Sequence, residues 1–289
     1  MEQRRLGRTD HYSSVAILGG AAFWDATPEL AEERVLLAVE RGVNHIDIAP
    51  AYGRAEEVVG PLIPALRDRL FIGEKSGRHH PDGVRANLER TLELFGTDHV
   101  DLYQAHGVTD LDDLDGRDGA FEAILRARDE GLTRFVGVTG HDLGAPRAHL
   151  EAVRRYDLDT VMFPVYPRVW ADPTYRADAE ALLAECAARD VGVQVIKAVA
   201  HRPWGDREKT AGPWYEPFTD PADVARGVRF ALSTPGVHAF CTPGDVDVLV
   251  TALDAAEAVT PMDDAERGTA IGEMQDAPVI FPLLEHARR

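Results

Sequence analysis

Four residues in the first part of the chain are of types that hold and move protons: Asp47, Tyr52, Lys75 and His106. Asp47 closes the short apolar run His45-Ile-Asp-Ile-Ala49, and Tyr52 stands in the turn beyond Pro50. Lys75 ends the run Phe71-Ile-Gly-Glu-Lys75, and His106 ends Asp101-Leu-Tyr-Gln-Ala-His106. A phenol is a weak acid with a pKa of ~10, and an ammonium beside it favours the phenolate and lowers that value. A carboxylate holds the lysine charged and oriented, while an imidazole nitrogen donates to the oxygen of a bound molecule. Such a set protonates an oxygen on which negative charge develops. Each member has an ordinary alternative. An aspartate near a strand end often caps a turn or helix, and a lone rim lysine or histidine is commonly a satisfied structural residue. Four of them at three successive strand ends form a less ordinary pattern.

The elements that must bring them together are legible as an alternation. Apolar runs lie at Val15–Gly19, His45–Ala49, Leu70–Lys75, Val100–Ala105, Thr133–Thr139, Thr160–Phe163, Val191–Ala198 and His238–Thr242. Helical patterns lie at Pro28–Arg41, Ala55–Ala65, Pro81–Phe95, Gly119–Glu130, Ala145–Tyr156, Tyr175–Arg189, Pro221–Ser233 and Asp245–Ala258. Continuous rather than alternating apolar runs suit strands covered on both faces. The count predicts an α/β fold, a (β/α)8 TIM barrel spanning 1–289 as one domain, with active residues at the C-terminal ends of the strands. A doubly wound sheet would want Gly-x-Gly-x-x-Gly after the first strand, and Leu18-Gly-Gly-Ala-Ala-Phe-Trp24 lacks it. Residues 2–14 are expected to form an N-terminal hairpin. The irregular stretch Val199–Asp220 follows the seventh strand on the active face, and its aromatic residues argue against disorder. The tail from Val259 to Arg289 is expected to add one helix and an irregular end.

Composition narrows the partners. The 289 residues are 45% hydrophobic and 28% charged, as in ordinary globular proteins. No apolar run approaches the ~18 residues of a membrane span, and the N-terminus lacks an apolar signal core, so cytoplasmic placement is expected. A net charge of -18 argues against nucleic-acid partners and anionic membranes. Cys186 and Cys241 have neither metal-type nor redox-type spacing and are read as buried thiols. Only three lysines occur, Lys75, Lys197 and Lys209, so the place of each is informative.

In order, spacing and strand placement, Asp47 with Tyr52-Gly53, Lys75 and His106 resemble the tetrad of the aldo-keto reductase family. Arg5-Leu-Gly-Arg-Thr, Gly137-Val-Thr-Gly-His141 and Pro243-Gly244 are similar too, so the resemblance runs to about Ala258. It implies hydride transfer between NADP(H) or NAD(H) and a small carbonyl or alcohol, an aldehyde, ketone or sugar. Tyr52 would then be the acid in reduction and the base in oxidation.

The sequence also departs from the family. The usual Ser-Asn pair at the nicotinamide amide reads Thr139-Gly140, and Thr160–Tyr166 holds no glutamine. The seventh strand carries Lys197, as in one branch of the family, where it would reach the cofactor's phosphates. After the eighth, Thr242, Gly244 and Asp245 stand where NADP-dependent relatives place basic residues; a carboxylate there suits a ribose hydroxyl, or it merely caps a helix. Trp24, Tyr166, Trp170 and Trp214 are the expected substrate-pocket residues, and no metal is expected. Three other readings stay open. One is a redox-sensing regulatory subunit with little turnover, and another a Schiff-base aldolase using Lys75 or Lys197. The third, a metal-dependent hydrolase using His45, Asp47, His106 and His141, has spacing that matches no strong ligand motif.

Overall fold

The computed structural model describes residues 1–281; residues 282–289, the end of the expected tail, lie outside the described residues. The apolar runs form eight parallel strands: β1 (Ala16–Gly19), β2 (His45–Asp47), β3 (Phe71–Ser76), β4 (Val100–Ala105), β5 (Thr133–Thr139), β6 (Thr160–Pro164), β7 (Gly192–Ile196) and β8 (Ala239–Cys241). They close in the order β8-β1-β2-β3-β4-β5-β6-β7, a (β/α)8 barrel. Every residue of β3 and β4 is buried, as sheets covered on both faces require.

Register decides which side chains meet inside. Asp47 pairs with Gly73 and Lys75 with Gln104. Because side chains alternate with a period of two, Asp47, Lys75 and Gln104 all point into the barrel.

The helices follow local signals. Pro28–Glu40 begins after Thr27, whose side chain accepts from Leu30 N, and has a proline in its first turn. Pro81–Phe95 stops at Gly96, whose φ of 58° suits a glycine C-cap. The expected helix over 55–65 is instead broken into Ala55–Val59 and Ile63–Leu66, with a 3-10 turn between them. Pro61 and Pro64 lack the N–H that a continuous helix needs. Two short helices, Leu111–Asp115 and Pro167–Trp170, were not expected. In the tail, Asp264–Met274 begins with a capping box of Asp263 and Glu266.

The stretch after β7 is less irregular than expected. Ala200–Pro203 pairs antiparallel with Tyr215–Pro217, so the segment is a hairpin with a long tip. At the other end of the barrel, Gln3–Arg5 pairs with Tyr12–Ser14 as the N-terminal hairpin. Its His11 stacks on Phe71 at 4.4 Å, and Phe71 stacks on Phe135 at 6.1 Å, which floors the barrel. No described helix is long and apolar enough to cross a membrane.

Candidate active site

At the C-terminal rim a cavity of about 580 Å³ is lined by Asp47, Tyr52, Lys75 and His106 together. Lys75 and Asp47 are both about 1% exposed, and Lys75 Nζ donates to Asp47 Oδ2 at 2.6 Å and to the Ile48 carbonyl at 2.9 Å. Gln104 Nε2 reaches the other Asp47 oxygen at 3.4 Å. Burial alone would lower the lysine's pKa, but Asp47 and Tyr52 outweigh it and hold the value above the ordinary one. Lys75 is therefore a fixed cation.

Its ammonium lies 4.9 Å from the centre of the Tyr52 ring, and that ring meets His106 edge-on at 5.6 Å between centroids. Gly53, with φ at 55°, makes the turn behind Tyr52, where a Cβ would come within 2.4 Å of the Trp24 carbonyl. The expected net lowering of the Tyr52 pKa is not what the structure gives. Lys75 pulls it down, but burial of the phenol is the larger effect and raises it. Tyr52 is thus held as the protonated phenol. Burial, then Lys75, keeps His106 well below the usual histidine range, so its ring is neutral with one N–H to donate.

Thr139 ends β5 and Gly140 follows it, both in the cavity wall. The Thr139 carbonyl accepts from Gly107 and Val108, and Gly140 N donates to the Met162 carbonyl at 3.0 Å. A Cβ at Gly140 would lie 1.9 Å from the Val108 carbonyl oxygen, so the close approach of two loops excludes any side chain there, asparagine included. On β6, Met162 lines the cavity where a glutamine was sought. Thr242 and Gly244 also line it, and Thr242 Oγ1 accepts from Gly19 N at 2.9 Å, which ties β8 to β1.

Three expected site residues are placed elsewhere. Asp245 is absent from the cavity wall; its Oδ1 caps Val246–Glu257 through Asp247 and Val248, and its Oδ2 accepts from Gly212 N at 2.9 Å. Both oxygens are thus engaged in holding the helix start and the loop at Gly212. Tyr166 and Trp170 are core residues, 0% and 4% exposed, and Trp170 packs edge-on to Tyr175 and Phe230. Bulk and aromaticity in sequence do not tell a pocket wall from a packed core. Trp24, 49% exposed, and Trp214 do line the cavity.

Two residues at the site were not foreseen in that role. Arg117 has its side chain 7% exposed, pairs with Asp113 at 2.8 Å and donates to the carbonyls of His106 and Gly107 at 3.0 and 3.3 Å. It lies outside the strands and no motif marks it. Cys241 was read as a buried thiol, yet it is half-buried in the cavity wall with Sγ 3.8 Å from Asp47 Oδ2. Its place at the end of the eighth run, in step with the other rim residues, was the available signal.

All three lysines of the chain line this one cavity. With Arg117 they set four cations against two carboxylates, Asp47 and Asp142, in a protein of net charge -18. That local excess suits an anionic ligand such as a dinucleotide.

The aldo/keto reductase family model matches residues 16–258, and the chain belongs to that family. It is 30% identical over 180 residues to the uncharacterized oxidoreductase YqkF of Bacillus subtilis, covering 56% of this chain and 55% of that protein. With the aldo/keto reductase slr0942 of Synechocystis it shares 31% over 147 residues, covering 43% and 45%. The chain thus spans about half the length of these curated relatives. The holo form of aldo-keto reductase AKR11C1 from Bacillus halodurans superposes over 100% of both chains at a TM-score of 0.72 and 20% identity, a likeness of fold.

Proposed function

We propose that the protein transfers a hydride between NADPH or NADH and a small carbonyl or alcohol, with Tyr52 giving or taking the proton. The observation that carries this is the shared cavity in which a lysine fixed by Asp47 faces a protonated phenol beside a neutral histidine. A bound nicotinamide nucleotide would supply the hydride, and in this reading Lys197, Lys209, Thr139, Thr242 and the backbone at Gly140 and Gly244 would hold it. His106 donates to the substrate oxygen and orients it. Tyr52 delivers its proton as negative charge builds on that oxygen, and the adjacent Lys75 cation stabilises the phenolate left behind. Asp47 keeps Lys75 charged and in place.

Asp245 is turned to its helix cap and to Gly212 and lies outside the cavity lining, which weakens the acid-at-ribose argument for NADH, while Lys197 and Lys209 supply positive charge at the cavity wall. NADPH is the favoured nucleotide. Trp24 and Trp214 give the substrate side an aromatic wall suited to apolar groups or sugar faces.

The test is Tyr52→Phe, assayed with NADPH on a panel of aldehydes, ketones and sugars. Turnover is expected to fall by about 10²–10⁴-fold, with NADPH affinity by fluorescence titration within about twofold, an unchanged binding site being the premise. Wild-type turnover in that variant would remove Tyr52 from the role.

A further inference from the structure

The two inner lysines of the cavity are built in opposite ways. Lys75 is locked to a carboxylate and a carbonyl. Lys197 sits just past β7 with its ammonium 5.1 Å from the ring centre of Trp214 and 4.8 Å from that of Tyr215. Among the described residues no carboxylate lies within ion-pair distance of it. Its backbone is held in the left-handed region at φ 68°, which residues other than glycine seldom adopt. The Lys197 carbonyl is anchored by Ala200 N at 2.9 Å. The amine thus lines the cavity from a strained backbone position, with no carboxylate counter-ion among the described residues.

We propose that Lys197 is a carbonyl-reactive amine, at which small aldehydes entering the cavity are captured reversibly as an imine. The neutral amine's lone pair attacks the carbonyl carbon; a C–N bond forms and the carbonyl oxygen takes a proton. The resulting carbinolamine loses that oxygen as water, with the remaining nitrogen proton leaving to solvent or base, and C=N is left. The step needs no oxidant or reductant, and hydrolysis reverses it.

Burial and the lack of a carboxylate partner among the described residues favour the reactive form, against the two aromatic faces. Burial lowers the Lys197 pKa to about 8, with Cys241 on β8 the group opposing it. The two aromatic faces favour the charged form, and His106, from the end of β4, is neutral beside it. At pH 7.5 an amine of pKa 8 is roughly one-quarter neutral, against about 0.1% for an ordinary lysine. Lys75, held charged by Asp47, is excluded from the same chemistry.

With only three lysines, the experiment reads cleanly. The full chain is incubated with propanal and sodium cyanoborohydride at pH 7.5, which reduces any imine to a stable secondary amine, and the adducts are mapped by mass spectrometry. Propyl adduct is expected at Lys197 at least about tenfold faster than at exposed Lys209, the surplus of neutral amine being set against poorer access. Equal or faster labelling of Lys209 would overturn the proposal. In Lys197→Arg, which keeps a cation between the two rings, the fast adduct is expected to vanish; its persistence at the wild-type rate refutes the assignment. Neither readout depends on nucleotide or turnover, so a failure of the hydride-transfer reading is distinguishable.

Discussion

Asp47→Asn separates the charge of the Asp47–Lys75 pair from its shape. The amide oxygen still accepts from Lys75 Nζ, and the Ile48 carbonyl at 2.9 Å is unaffected. What is lost is the attraction of two unit charges 2.6 Å apart, about 6 kcal/mol at an effective dielectric of about 20. The same cavity provides a comparison: Lys197, buried with no carboxylate partner among the described residues, titrates at about 8. Lys75 in the variant is therefore expected to fall from its raised wild-type position to below the ordinary lysine value of about 10.4, towards that of Lys197. The protein is also expected to lose about 3–5 kcal/mol of stability, because a buried charge is left unpaired. The assay is an NMR titration of protein carrying [13Cε]lysine, in which three lysines give three signals. Wild type should show one signal moving near pH 8 and another still unmoved above pH 10.5; in Asp47→Asn the second should move as well. Turnover should fall with it, since a neutral Lys75 no longer stabilises the phenolate of Tyr52. If Lys75 stays charged above pH 10.5 in the variant, the carboxylate is not what holds it, and the account of the tetrad fails.

Arg117→Met should lower kcat/KM by about 10²-fold through displacement of His106, and Arg117→Lys should recover part of that loss by keeping one carbonyl contact. A lowered melting temperature with unchanged kcat/KM would make Arg117 a purely structural tie. Gly140→Ala places a Cβ 1.9 Å from the Val108 carbonyl oxygen, so denaturant unfolding should show a loss of at least about 1–3 kcal/mol; unchanged stability would refute the close approach. His149 is fully buried and titrates at about 3, whereas an unfolded histidine does so near ~6.5. Between those values only the unfolded chain binds the proton, so stability is lost by about 1.4 kcal/mol for each unit that the pH drops. His149→Leu should flatten the stability profile by that slope below about pH 6.5, and an unchanged slope would show that His149 is protonated in the fold.

What was legible in the sequence follows from where its information is local. Strands buried on both faces write themselves as apolar runs, and their ends carry Asp47, Lys75 and His106 in plain view. Helix stops at Gly96 and starts at Thr27 are likewise single-residue chemistry. The broken helix after Ala55 was marked by Pro61 and Pro64, but the amphipathic pattern outweighed them. Contacts between distant segments were not legible. Asp245 looks available until Gly212 is seen to cross the rim and occupy it, and Tyr166 looks like a pocket wall until the core closes over it. Arg117 is invisible because, beyond its neighbour Asp113, its partners at the site are backbone carbonyls, which every sequence has. The Tyr52 pKa is hidden from the sequence for a related reason. A neighbouring charge can be inferred from motif order, whereas the cost of burying a phenol requires the packed cavity.

The aromatic floor laid by His11, Phe71 and Phe135 has a kinetic consequence. The cavity wall includes no residue of the N-terminal hairpin, so the barrel is a blind well rather than a passage. Whatever settles deepest enters first and departs last, and no molecule can be pushed through from behind by the next. Traffic in both directions shares the doorway framed by Trp24, Trp214 and the tip between Pro203 and Tyr215. The dwell time of a ligand in the well is thereby set by a few groups at the mouth.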